Sequence, residues 1–415
     1  MSRRIKTVSD VVSWRLCLGC GACVQVCPEG ALTLVNVQDD GLRPRVDGGK
    51  CACCGECLQV CPGTGIEAPP VAADAIPELR QAWGNVLEIW EGSASDPDVR
   101  FQGSSGGVAT ALSLYCLEKR GMQGVLHIGP SETNPLTNVA VVSGGRQELL
   151  ARTGSRYAPA APCSGLDLLN HDGPRYAFVG KPCDVVALRK WQQCSPLGGG
   201  RIALAISIFC AGTPSTQGTR KVLEKLGVKP EEVTAFRYRG CGWPGRTVAK
   251  TNRKDADPSM TYEESWGEIL SKHTQFRCRL CPDSTGELAD ISCGDPWYRQ
   301  IEPGDPGRSL VLVRTDAGKE ILREAMKAGY VQLEQADPST LPRSQRSLLK
   351  RRQHLWGRLL ALRLFRIPIP YYRHLSLGAN WRSLRVAEKA RSVLGTLRRI
   401  WQRKWKAPVR PESGR

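Results

Sequence analysis

Two stretches of this chain repeat one spacing of cysteine. CLGCGACVQVCP (17–28) and CACCGECLQVCP (51–62) both read C-x2-C-x2-C-x3-C-P, down to a shared QVCP. No other feature restricts the fold as hard. Three thiols set three residues apart in one tight loop turn toward a single point, and such a loop has no apolar face with which to fold alone. It has to be built around whatever the sulfurs hold. A period of 34 residues (17 to 51) also marks helical repeats, but the intervening ALTLVNVQDDGLRPRVD carries no long amphipathic helix. It reads as short strands and a turn.

Composition narrows the choice. Eighteen cysteines in 415 residues would suggest disulfides only in a secreted chain. MSRRIKTVSDVVSWRLC has basic residues but neither a continuous apolar core nor a small-residue cleavage site, so no secretory signal is expected. The best apolar run, IALAISIF (202–209), falls short of a membrane span and reads as a buried strand. A reducing cytoplasm is the expected setting, and there clustered cysteines bind metal or carry redox chemistry.

An iron–sulfur cubane needs four soft thiolates at its corners. In two-cluster ferredoxins the C-x2-C-x2-C loop wraps three of them, and the fourth cysteine of each run serves the other cluster. Carried onto this chain, Cys17, Cys20, Cys23 and Cys61 hold one [4Fe–4S] cluster, and Cys51, Cys54, Cys57 and Cys27 a second. Cys53 is spare. Zinc also accepts four cysteines, but usually as two separated C-x2-C pairs, whereas three cysteines wrap each site here. Two adjacent clusters suit an electron relay. Pro28 and Pro62 turn the chain away after each run.

Three zones follow from the patterning. Residues 1–66 hold nine of the cysteines. Residues 80–345 alternate strand-like runs (VLEIWEG, GVLHIG, NVAVVSG, RYAFVG, RIALAISIFC, TAFRYRG, RTVAKT, SLVLVRT, YVQLEQ) with helical ones (SSGGVATALSLYCLEKRG, TQGTRKVLEKLG). Residues 346–415 carry 19 Lys+Arg against Glu388 and Glu412, so nearly all of the net charge of +18 belongs to this tail. GCGWPG (240–245) is a literal G-x-G-x-x-G, but Pro244 and the strand-like RTVAKT follow it, which predicts a hairpin turn rather than a dinucleotide site. The five histidines are scattered and suggest no catalytic or metal group.

Four ordered motifs in the middle zone, SSGGVATAL (104–112), VGKPCDVVALRK (179–190), FCAGTPS (209–215) and CRLCPDSTGELADISCGDPW (278–297), resemble the coenzyme F420 hydrogenase/dehydrogenase beta-subunit family. Many members carry an N-terminal ferredoxin domain. The resemblance implies bound FAD and a further [4Fe–4S] cluster. Inside the matching motifs, Ser104, Ser105, Gly106 and Gly107 are the expected flavin contacts, one serine capping a helix and the glycines letting a ligand approach backbone N–H groups. Tyr157 and Lys181 are further flavin candidates. Cys183, Cys210, Cys278 and Cys281 are the expected ligands of the third cluster, with Cys163, Cys241 and Cys293 as alternatives for a corner. Cys116 and Cys194 are expected to pack as small apolar residues.

In the tail, Val386, Ala390, Val393, Leu394, Leu397, Ile400 and Trp401 recur at helical spacing among Lys389, Arg391, Arg398, Arg399, Arg403 and Lys404. Such a helix either lies on an anionic membrane surface or docks on its own protein. Nucleic acid is not expected, because no binding module accompanies the charge.

The expected fold is α+β: a small two-cluster ferredoxin-type domain (1–66), a mixed α/β flavin-binding domain (80–345) and a basic amphipathic helical tail (346–415). The expected activity is that of a flavin iron–sulfur oxidoreductase exchanging electrons with coenzyme F420 or a similar two-electron partner. One alternative is a ferredoxin-dependent reductase of a carbon substrate in polysaccharide or pigment synthesis. Another is a non-catalytic electron-transfer subunit of a membrane-associated complex. Coenzyme F420 or ferredoxin is the expected redox partner, a partner subunit is compatible, and the location is cytoplasmic or peripheral at the inner membrane face.

Overall fold

The computed structural model describes residues 5–170, 173, 175–195, 200–252, 256–403 and 405–409. In the first segment each cysteine loop runs into a four-residue helix, Ala22–Gln25 and Glu56–Gln59. Between them lies the antiparallel hairpin of β1 (Leu32–Val37) and β2 (Gly41–Val46), the strands and turn expected there. A short β3 (Gly65–Glu67) ends the segment.

The middle of the chain supplies β4 (Glu88–Ala94), β5 (Gly124–Pro130), β6 (Asn138–Ser143), β7 (Tyr176–Gly180), β8 (Ile202–Ile208), β9 (Val233–Arg237), β10 (Arg246–Thr251), β11 (Ser259–Thr261), β12 (Ile291–Gly294), β13 (Ser309–Val313) and β14 (Val331–Gln335). Eight of these form one sheet in the order β14-β4-β13-β12-β8-β7-β5-β6. Its centre, β12, β8, β7 and β5, is parallel, and antiparallel strands extend both flanks. All nine expected runs are strands. The central β12 had no sequence signal, since four residues are too few to show a period.

Alternation along these strands sends Val125, Ala177, Leu204 and Ile206 to one face, against the helices Val108–Glu118 and Asp316–Lys327. Leu126, Phe178 and Ala205 go to the other, against the helix Pro182–Cys194. That second core also takes in Cys20, Ala22 and Val60, so the first segment is built onto the sheet layer. A separate small sheet, β11-β10-β9, contains the GCGWPG turn, which is the expected hairpin.

The tail is part of the body. Its helices Arg346–Leu364 and Val386–Gln402 lie side by side, and β15 (Tyr371–Arg373) pairs in parallel with β3. Leu355, Leu359, Leu362, Ile400 and Trp405 share one core with Val11, Trp14 and Leu16 of the first segment. Thus Leu355, Leu359 and Leu362 of LWGRLLALRLF face inward, whereas Leu364 is exposed. Of the expected apolar stripe on the last helix, Ile400 is buried, whereas Val386, Leu394 and Trp401 are exposed. The tail docks on its own protein through its buried leucines, Ile400 and Trp405; Lys404 lies outside the described residues. No helix among the described residues is long and apolar enough to cross a membrane.

Arg352 ties the tail to the middle domain. Its buried guanidinium pairs with buried Glu287 and donates to the carbonyls of Pro282 (3.1 Å) and Leu375 (2.8 Å). Removing one member of such a pair leaves a buried charge alone. Arg352→Ala is expected to destabilise the chain by about 3–5 kcal/mol, read by urea denaturation, whereas exposed Arg382→Ala should change little.

Candidate functional site

The two cysteine loops have matching backbones. Gly21 (φ +89°) and Gly55 (φ +83°) precede the two short helices in left-handed conformations. Gly19 (φ +72°) in the first repeat corresponds to Cys53 (φ +55°) in the second. The spare cysteine therefore stands where the repeat prefers glycine. Cys20 has Cys23 and Cys61 as close neighbours, and Cys23 has Cys17 and Cys61. Cys57 has Cys54, Cys27 and Cys51. Cys163 also neighbours Cys20, and Cys57 also neighbours Cys23, so the thiols of both runs meet, with Cys61 beside the first loop and Cys27 beside the second.

Burial first, then neighbouring thiolates, push the Cys20 and Cys23 thiols well above their ordinary value and Cys61 up to about 11. Thiols so placed give up protons together with binding a cation. Sulfurs of Cys17 and Cys27 accept backbone N–H bonds from Gly19 (3.4 Å) and Ala31 (3.3 Å). Such bonds to ligand sulfur are one means by which proteins tune an iron–sulfur cluster. No three His, Cys, Asp or Glu side chains among the described residues close up tightly enough to hold a single metal ion.

A second meeting of cysteines is purely tertiary. Cys183 opens the helix after β7, Cys210 follows β8, and Cys278 and Cys281 flank one turn. Cys183 neighbours Cys210 and Cys281, and Cys210 neighbours Cys278, so the expected quartet is together. Thr213 N–H donates to the Cys278 sulfur at 3.4 Å. Among the alternatives, Cys293 sits in the sheet core and Cys241 in the hairpin turn. Cys163 lies between the two cysteine regions: its N–H donates to Cys20 O (3.0 Å) and its thiol to Asp184 O (3.4 Å). Cys116 packs in the core as expected, but Cys194 does not; it is exposed at its helix end.

A cavity of about 480 Å³ opens beside this quartet, lined by Ser104, Ser105, Gly107, Tyr157, Lys181 and Cys210 among others. It lies where β5, β7, β8 and β12 end, the crevice in which open α/β sheets take ligands. Neither serine caps the following helix. Gly107 (φ +74°) is its N-cap, with no side-chain cap. Ser104 Oγ instead accepts from Ser155 N–H (2.6 Å), and Ser105 Oγ donates to Arg308 O (2.6 Å). The helix therefore presents its first N–H groups uncapped, a fit for an anionic group such as a pyrophosphate. Gly106 is not in the lining; a Cβ there would meet Gly92 O and Ser309 N at 2.6 Å. Its glycine is required by close packing between strands.

Two buried ion pairs shape the cavity. Lys181 Nζ meets Asp184 at 2.6 Å, and although burial opposes its charge, Asp184 holds the ammonium above its ordinary value. At the far end Arg239 forms a fork with Asp295 (2.7 and 2.9 Å) beneath Tyr262 and Trp297, which stack 5.2 Å apart. Sequence reasoning missed this aromatic end. Its members come from unconnected loops with no shared spacing.

With this geometry in view, the comparisons with known proteins are consistent. The family models described as coenzyme F420 hydrogenase/dehydrogenase beta subunit, N-term and C terminus, match residues 89–166 and 173–339. The chain belongs to that family. A 4Fe-4S dicluster domain matches residues 16–66. Coenzyme F420-dependent sulfite reductase of Methanocaldococcus jannaschii is 27% identical over 80% of this chain, which spans only 49% of that protein. The coenzyme F420 hydrogenase beta subunit of Methanothermobacter thermautotrophicus is 28% identical, over 59% of this chain and 83% of its own length. The beta subunit of an F420-dependent formate dehydrogenase from M. jannaschii is 23% identical over 58% of this chain and 60% of its own. A chain in the solved F420-reducing [NiFe] hydrogenase complex of Methanosarcina barkeri shares the fold, with TM-score 0.50, 21% identity, and coverage of 67% of this chain and 95% of that one. Relatives of this family are oxidoreductase subunits, and this chain is an oxidoreductase with an iron–sulfur domain.

Two outcomes follow from the site. Cys53→Gly should leave the iron content of the reconstituted chain unchanged and raise its stability by up to about 1 kcal/mol, by relieving a left-handed side chain; iron assay and urea melts test this. On the cavity wall, burial and then Arg152 hold the His127 imidazole down at about 4 against an ordinary 6.5. Between those values the unfolded chain binds a proton that the folded chain does not, so stability falls as pH drops through this window, by about 3 kcal/mol in full. His127→Gln should flatten the slope of unfolding free energy between pH 6.5 and 4.

Proposed function

We propose that this chain is a flavin iron–sulfur oxidoreductase in which a two-electron partner of the coenzyme F420 type exchanges electrons with FAD in the cavity and then with three [4Fe–4S] clusters. One observation carries the reading: the cavity, the quartet of Cys183, Cys210, Cys278 and Cys281, and the crossed loops of the first segment adjoin in series. Cys210 lines the cavity. Cys163 and Asp184 bridge the quartet to Cys20. The second loop ends at exposed Cys51 and Cys54.

When bound, the flavin would convert a two-electron exchange into single-electron steps that the clusters can carry. The chain's own residues then bind and orient. Uncapped N–H groups after Gly107 and the Lys181 ammonium would hold the anionic part of the cofactor. Tyr157, Tyr262, Trp266 and Trp297 would face planar rings and keep water out. The half of the M. jannaschii sulfite reductase that this chain does not span lies outside the reading.

The reading predicts that anaerobically reconstituted protein releases FAD on denaturation and carries the iron of three clusters. Reduced coenzyme F420 should bleach its flavin absorbance and then its cluster absorbance. Protein with full iron but no releasable flavin would overturn the reading. Cys210→Ser should lower the iron content by one cluster while leaving that of the first segment intact.

A further inference from the structure

The tail's charge is concentrated at one place that the proposed reaction does not use. Arg351 and Arg358 of the helix Arg346–Leu364, Arg399 and Arg403 of the helix Val386–Gln402, and Arg279 of the turn Phe276–Leu280 face one another. Arg358 Nη1 donates to Arg279 O at 2.9 Å, which pins the turn to the helix. Phe276 and Trp405 pack 4.5 Å apart beneath them. Arg279, Arg351, Arg358 and Arg399 are half-buried, and Arg403 is exposed.

Among the described residues none of the five has a carboxylate in ion-pair contact. Glu388, the one described acid of the tail, faces His354 instead. Elsewhere buried guanidiniums are more fully compensated: Arg239 has Asp295, Arg352 has Glu287, and Arg277 and Arg314 each have more than one carbonyl, against the single carbonyl of Arg279 at Arg358. Burial, then Arg351, Arg399 and Arg279, pushes the Arg358 guanidinium down to about 10. Like charges held together in this way repel, and a recess of one sign concentrates counter-charge.

We propose that these five arginines dock the carboxylate-rich face of a small acidic electron-carrier protein beside the Cys278–Cys281 loop. The inference rests on the redox reading above for its purpose, though not for its charge. Arg279 stands between Cys278 and Cys281, and Arg351 lies near Cys210. A carrier held there sits against the cysteines nearest the cavity. Carboxylates on a protein face can reach recessed guanidiniums and pair with them bidentately. A lipid surface instead needs an apolar stripe and its cations on one open side. Here Trp401 on the exposed side already carries Lys406 over its ring at 3.3 Å and Phe365 at its edge, while four of the five arginines are half-buried between elements.

The test titrates the full chain, with and without reconstituted clusters, with a plant-type [2Fe–2S] ferredoxin by calorimetry at low and high salt. The triple variant Arg351→Gln, Arg399→Gln, Arg403→Gln should bind roughly tenfold more weakly or worse, and rising salt should weaken the parent in the same way. Arg363→Gln with Arg382→Gln, both exposed elsewhere in the tail, should bind as the parent does. The thermal midpoint of the triple variant should hold or rise, because repulsion is relieved; a fall would mean that the arginines serve the fold, and would overturn the proposal. So would unchanged ferredoxin affinity in the triple variant, absence of ferredoxin binding by the parent, or arginine-dependent binding to phosphatidylglycerol vesicles alone. Arginine-dependent binding by a chain that fails to load the third cluster would keep the docking site and sink only the redox reading.

Discussion

The guanidinium of Arg277 has no exposure to solvent, and it sits where three distant parts of the chain meet. It donates to Pro62 O, just past the last cysteine of the first segment, and to Leu280 O in the turn between Cys278 and Cys281 (3.1 Å each). It also lies over the ring of Tyr372 in the tail, 5.6 Å from its centre. A buried cation must find acceptors or the fold fails, and the two carbonyls that Arg277 uses belong to segments that carry the thiols. One side chain thus couples the registration of the cysteine loops to the docking of the tail. Arg352 repeats the device a short way off, through Pro282, Glu287 and Leu375.

Around those clamps the parallel centre of the sheet acts as a platform. The ends of β7 and β8 present Lys181, Cys183 and Cys210 at the same edge, because parallel strands all finish on one side. Ser309 of the antiparallel β13 and the Cys293–Asp295 stretch at the end of β12 close that edge. This is why a cavity and a group of thiols come to share a wall. The first segment is held against the back of the helix Pro182–Cys194, which places Cys20 and Cys163 in contact. The proposed electron route is therefore a consequence of layer packing rather than of any single motif.

Much of this was legible along the chain. Alternating apolar residues in the nine strand runs identified every strand of the main sheet except β12. The repeat spacing marked the three-cysteine loops, whose backbone geometry is local and leaves little for tertiary structure to change; the approach of Cys61 to the first loop and of Cys27 to the second is a tertiary matter. Helix capping was read less well. SSGG suggested a serine cap, but Ser104 and Ser105 bond to Ser155 and Arg308, partners 51 and 203 residues away, and Gly107 takes the cap. Cys194 looked like a packing residue by type, yet its helix ends at the surface.

By itself the sequence determined the cysteine loops, the strands, the hairpin at GCGWPG and the concentration of charge in the tail. These depend on contacts between near neighbours, or on composition alone. Tertiary structure decided what the tail covers, which arginines are compensated and which are not, and how Tyr157, Arg239, Tyr262, Asp295 and Trp297 come to one end of a cavity. Those outcomes turn on side chains scores of residues apart sharing a buried space. No spacing rule records such a meeting, because the chain between the partners is free to vary in length.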